Sequence, residues 1–133
     1  MSTTTGLIGE YIAAAVVLSL GWRVSLAQQD KVDLVAWKDD EYLRIQVKTS
    51  KKYANDGRRS ERYHFQLGSG CKTKTLPDEK DYDILCCVGY DHRKALFLPV
   101  QQVQQKTKSL SPQLFDDPKA ELHSFNKALA TIR

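Results

Sequence analysis

The stretch from Val32 to Thr49 constrains the fold more than any other part of the chain. It reads Val32-Asp33-Leu34-Val35-Ala36-Trp37, then the polar Lys38-Asp39-Asp40-Glu41, then Tyr42-Leu43-Arg44-Ile45-Gln46-Val47-Lys48-Thr49. Two strand-like runs around an aspartate-rich turn are the pattern of a β-hairpin. Centring the turn on Asp39-Asp40 sets Trp37 opposite Tyr42, Val35 opposite Arg44 and Asp33 opposite Gln46. Opposed residues share a face of the sheet, and successive residues alternate between faces. One face then collects Val32, Leu34, Ala36, Leu43, Ile45 and Val47, all apolar. A slip of one residue would mix the faces, so the apolar pattern itself selects this register. The other face brings together Asp33, Gln46 and Lys48.

Around the hairpin the chain reads as a mixed α+β domain of the α/β type. Thr5 is a helix cap, and Leu7, Tyr11, Ala14 and Leu18 form an apolar stripe that Ile8, Ile12 and Ala15 widen, ending before Gly21. Glu10 lies beside this stripe. Trp22 to Leu26 reads as a strand, 50 to 62 as a polar basic loop, Tyr63 to Leu67 as a strand and Gly68 to Lys80 as loop. Tyr82 to Tyr90 and Ala95 to Leu98 flank a turn at Asp91 to Lys94 and are two more strands, the second stopped by Pro99. A short glutamine-rich helix is expected over Val100 to Lys106. A last helix is expected from Pro118, with Asp117 as its cap and Leu122, Phe125, Leu129 and Ile132 at helical spacing. With 133 residues the chain is long enough for one core and too short for two. This predicts one domain over 1–133: a core of about 5–100 with an N-terminal helix and a central mixed sheet, and a C-terminal helical extension of about 101–133.

Charge is concentrated. Lys48, Lys51, Lys52, Arg58, Arg59 and Arg62 face only Asp56 and Glu61 between positions 48 and 62, so this segment carries the whole net charge of +4. The odd count of three cysteines argues against a disulfide framework. Cys86 and Cys87 are adjacent, so on a strand they point to opposite faces and do not share a metal. His64, His92 and His123 show no ligand spacing, and Gly68-Ser69-Gly70 lacks the phosphate-loop spacing and its lysine. Lys72 and Lys74 follow it and are either phosphate contacts or a solvated loop. The N-terminus has no basic leader and no apolar run long enough to span a membrane, which predicts a cytoplasmic protein.

Asp33 is the one acid in the run from Val32 to Trp37. Burying a carboxylate there is costly without a partner. One reading is a structural ion pair with Lys48 or Arg44. The other is a site for phosphodiester hydrolysis, in which a hard cation such as Mg²⁺ takes oxygen ligands and keeps some waters. Asp33, the Gln46 amide oxygen and the Val47 carbonyl would be ligands, Lys48 would meet the phosphate, and Glu10 would act from the helix as a base or outer ligand.

These residues resemble the PD-(D/E)XK nuclease superfamily. The resemblance runs through Gly6 to Ala14 ("GLIGEYIAA") with Glu10, Lys31 to Val35 ("KVDLV") with Asp33, and Ile45 to Thr49 ("IQVKT") with Gln46 and Lys48. Within it, the Gly-Glu helix, the Gly21-Trp22 strand and the Gln-x-Lys form look most like small intron-encoded homing endonucleases, and archaeal-type Holliday junction resolvases come next. The family's proline before the motif aspartate is Val32 here, and the acid of its last motif is Gln46. The second change removes a negative charge from the metal site. The resemblance implies a restriction-endonuclease-like core and a Mg²⁺-dependent DNA endonuclease (Mn²⁺ substituting) with Glu10, Asp33, Gln46 and Lys48 as catalytic residues. It implies Lys51, Lys52, Arg58, Arg59, Arg62, Lys72 and Lys74 as contacts to double-stranded or branched DNA. A homing enzyme is the first expectation, a junction resolvase the second, and a DNA-binding protein without catalysis the third. One such core has one active centre and a double-strand break needs two, so a homodimer or homotetramer is expected.

Overall fold

The computed structural model describes residues 3–55, 59–68 and 75–133. The first helix, α1 (Thr4–Ser19), is capped two residues before the expected position: Thr3 is the cap, and its Oγ1 accepts from Gly6 N at 3.0 Å. Three threonines in a row offer the same capping chemistry, and the first one is used. The helix stops at Gly21, whose φ of 96° suits a residue without a Cβ.

Strands β1 (Arg23–Leu26), β2 (Leu34–Lys38), β3 (Glu41–Ser50), β6 (Ile84–Gly89) and β7 (Lys94–Pro99) form a sheet in the order β1-β2-β3-β6-β7. Only β3 and β6 run parallel among these pairs. The β2–β3 hairpin has the register read from its apolar pattern, with Trp37 opposite Tyr42 and Val35 opposite Arg44. Leu34, Ala36, Leu43, Ile45 and Val47 are buried on one face with Ile84, Cys86 and Val88, beneath α1 and the C-terminal helix α2 (Ala120–Ile132). Trp22 and Phe97 meet Phe125 of α2 edge-on, at 5.7 and 5.0 Å between ring centroids. Strand β7 is an edge, and α2 covers it: Glu121 Oε2 accepts from Ala95 N at 2.8 Å and Ser124 Oγ from Phe97 N at 3.1 Å.

The opposite face carries a second sheet, β4 (Lys52–Asn55), β5 (Arg59–Gln66) and β8 (Thr107–Leu110), in the order β4-β5-β8. The expected loop over 50 to 62 is therefore largely a hairpin, and the expected glutamine-rich helix is a single 3-10 turn (Val100–Gln102) followed by β8. Strands β4 and β8 are short and polar, so no period-2 apolar pattern announces them, whereas the alternation from Tyr63 to Leu67 marks the second half of β5 as expected. The sheet exists because Tyr63 and Phe65 are buried with Leu85, Cys87, Val100 and Phe115. Parallel strands need a crossover, usually a helix. Here the β4–β5 hairpin and the segment after it make that connection. Gly89 ends β6 where a Cβ would come within 2.9 Å of the Tyr63 ring, so its small size lets the second sheet close down. A further 3-10 turn (Pro112–Phe115) precedes α2, which begins three residues after the expected cap; Asp117 instead turns the chain by accepting from Lys119 N at 2.9 Å.

Candidate active site

Asp33 sits just before β2, with its backbone held from both sides. Its N–H donates to the Ile45 carbonyl at 2.9 Å, and its carbonyl accepts from Ala27 N at 2.8 Å. The half-buried side chain is equally held: Oδ2 accepts from Val47 N at 2.7 Å and from Gln46 Nε2 at 3.0 Å. The ion pair with Arg44 weighed from sequence does not form. Arg44 grips Asp83 instead, with Nε on Oδ2 at 3.3 Å and Nη2 on Oδ1 at 3.1 Å, while Asp83 also accepts from Arg44 N. That clamp aligns the start of β6 with β3.

Burial raises the Asp33 carboxyl above its ordinary range, and the Val47 N–H and the charge of Lys48 pull it back only in part. Lys48 is half-buried on β3, opposite Cys87 of β6. Asp33, Gln46 and Lys48 thus come together as the hairpin register requires. Glu10 is nearly inaccessible, 6% exposed, on the helix layer that covers the other side of β3. Its neighbour Gly9 explains how that helix comes so close. A Cβ there would overlap Thr49 Oγ1 and lie 2.8 and 2.9 Å from Thr49 Cβ and Cγ2. Gly9 was no sequence-based candidate; the signal was a glycine beside the one charged residue of an alanine-rich helix.

Among the described residues no three of His, Cys, Asp and Glu converge on one point. The donors at hand are oxygens: the second carboxylate oxygen of Asp33, the Gln46 amide oxygen and the Val47 carbonyl. Such a set suits Mg²⁺ or Mn²⁺ and disfavours zinc. It carries little negative charge, so it fits a cation that keeps several waters.

The basic residues lie beyond β3. Lys51 Nζ rests 5.2 Å from the Tyr90 ring centroid, over which Arg93 also stacks at 4.3 Å. Lys52 Nζ is 3.3 Å from Glu61 Oε2 and its N–H donates to Asp91 Oδ1. Arg62 Nε donates to Ser109 Oγ at 2.6 Å. Arg58, Lys72, Lys74 and the side chain of Arg59 lie outside the described residues.

A mixed sheet carrying this half-buried aspartate beside a lysine two positions after a glutamine matches one family model, the PD-(D/E)XK endonucleases, over residues 1–130. The chain belongs to this family. It is thereby a nuclease whose substrate is DNA. Its fold is that of a solved PD-(D/E)XK-like protein, the bacterial homing endonuclease I-Ssp6803I: the TM-score is 0.71 at 20% identity, covering 98% of this chain and 93% of that one. At that identity the likeness speaks for the fold. No curated protein matches the sequence. The PD-(D/E)XK core here has its β4–β5 hairpin in the crossover, and the described residues include no helix between β3 and β6. No helix among the described residues is long and apolar enough to cross a membrane.

Proposed function

We propose that this PD-(D/E)XK endonuclease is a Mg²⁺-dependent, site-specific enzyme that makes double-strand breaks in DNA, in the manner of a homing endonuclease. The observation that carries the reading is the cluster at Asp33. Its carboxylate is kept half out of water, oriented by Gln46 and the Val47 N–H, with the Lys48 ammonium next to it. Of the two ion-pair partners that the sequence offers Asp33, Arg44 is committed to Asp83, and Lys48 is the charge beside the carboxylate.

Asp33, Gln46 and the Val47 carbonyl would hold the Mg²⁺, with Glu10 behind them, and Mn²⁺ would substitute. The bound ion would supply Lewis-acid polarisation and lower the pKa of a coordinated water. Lys48 holds a non-bridging oxygen of the scissile phosphate and meets the charge that develops there. Asp33 and Gln46 keep each other in one rotamer, so the site is assembled before DNA arrives. Lys51, Lys52, Arg58, Arg59, Arg62, Lys72 and Lys74 hold the phosphate backbone, which makes binding salt-dependent. The likeness of fold to a homing endonuclease favours duplex over junction cutting. The whole chain acts as one nuclease domain inside the cell, where Cys86 and Cys87 stay as buried free thiols.

The test is cleavage of genomic DNA and of a labelled four-way junction, in Mg²⁺ and in chelator, by wild type, Asp33→Ala and Lys48→Ala. The expected result is discrete duplex fragments in Mg²⁺ alone, none with Asp33→Ala, and a drop of about 10²–10³-fold in kcat with Lys48→Ala at little change in DNA affinity. Paired nicks confined to the junction would make it a resolvase. Metal-independent binding without product would make it a binding protein.

A further inference from the structure

We infer that the outer face of the second sheet, built from Arg62, His64, Gln66, Thr107 and Ser109, reads base edges in the DNA major groove. The inference rests on the nuclease reading above and adds the surface that selects the sequence. Along the end of β5, Tyr63, Phe65 and the following Leu67 are buried while His64 and Gln66 between them are exposed. In the β5–β8 pairing His64 stands opposite Ser109, and Gln66 opposite Thr107. Opposed residues share a face, so these four make one patch, joined by Arg62 through its hydrogen bond to Ser109 Oγ.

The chemistry of this patch differs from an ordinary solvated face. It has amide, hydroxyl, imidazole and guanidinium groups and no carboxylate. A solvated strand face usually mixes both signs of charge, and acids here would repel DNA. Phosphates only accept hydrogen bonds, and lysine suffices for them. Base edges both donate and accept, and an amide such as Gln66 pairs with adenine in both senses while arginine pairs with guanine. Two strands about 4.8 Å apart are narrow enough for a groove about 12 Å wide.

The patch is also tied to the chemistry. Ser50, two residues after Lys48, accepts from His64 N at 3.0 Å through Oγ while donating to the Lys51 carbonyl at 2.9 Å. Ser50 is 4% exposed, so this link is sheltered from water. A base read by His64 or Gln66 therefore lies at a set distance from the strand that carries Lys48. That rigidity is what a cut at a defined position requires.

The experiment is selection from a pool of duplexes with a randomised core of about 20 base pairs, two turns of the helix, in chelator so that nothing is cut. Wild type is compared with Gln66→Ala/Thr107→Ala and with Lys51→Ala/Lys52→Ala, each checked for an unchanged melting profile. Wild type should enrich a motif. The Gln66/Thr107 double variant should lose about 10–100-fold of discrimination at one or two adjacent positions and keep overall affinity within a few fold. The lysine variant should weaken every sequence alike and keep the motif. The same motif from the Gln66/Thr107 variant overturns the inference and leaves the proposed function standing; wild type that binds DNA with no preference overturns the inference together with site-specific cutting. No DNA binding by wild type overturns the nuclease reading and this inference with it.

Discussion

A carboxyl group moved partly out of water resists ionising, and Asp33 is such a group, its pKa raised by burial. A folded pKa above the unfolded one gives stability that is fully present at low pH and is lost as pH rises through the folded value. At neutral pH the charged Asp33 therefore opposes folding, a cost that the proposed metal-binding role would account for. Asp33→Asn can still accept from Val47 N and carries no charge. Its melting temperature should exceed that of wild type at pH 8, and the gap should close as pH falls below about 4, the ordinary carboxylate range. Thermal melts across pH check this; a variant less stable than wild type at every pH would mean that the carboxylate is a structural group. The same variant should lose cleavage, since function and stability pull on this residue in opposite directions.

At the scale of elements, the seam between α1 and β3 depends on Gly9. Glycine to alanine inside a helix ordinarily stabilises by about 1 kcal/mol. At Gly9 the added methyl would overlap Thr49, and overpacking of this kind costs about 1–3 kcal/mol. Gly9→Ala should therefore be destabilising in urea melts despite its better helix propensity. Thr49→Ala removes two of the three overlapping atoms and should restore part of the loss in the double variant. The hairpin of β2 and β3 was legible because its two faces differ so sharply in polarity. Of the β4–β5–β8 sheet only the second half of β5, from Tyr63, was legible. Its strands are polar on one side and rely on Tyr63 and Phe65 reaching a core formed by β6, β7 and Phe115, which are distant in sequence.

For the molecule as a whole, the outer side of α1 bears on assembly. Leu7, Tyr11 and Leu18 are 38%, 57% and 50% exposed and fall along the outer side of α1. The helix has one charge, Glu10, and that is turned inward. A face that pairs with a second copy of itself must avoid opposed like charges, and a charge-free apolar stripe meets that need. DNA finds no basic group there. Sedimentation should show a dimer or tetramer, and Tyr11→Glu should shift it to monomer, nicking one strand while losing the double-strand break. A wild-type monomer at micromolar concentration that still breaks both strands would remove the case for assembly.

The hairpin register, the meeting of Asp33, Gln46 and Lys48, and the basic segment that follows them are all written in the order of the residues. Each depends on neighbours within a hairpin or along one strand, where a period of two is decisive. The partner of Arg44, the burial of Glu10 against the close approach at Gly9, and the second sheet with its outward Gln66 and Thr107 were set by the packed fold. Those depend on contacts across wide separations in the chain, such as Arg44 with Asp83 and Gln66 with Thr107. Side-chain pattern carries no record of such pairings until the core closes and brings them together.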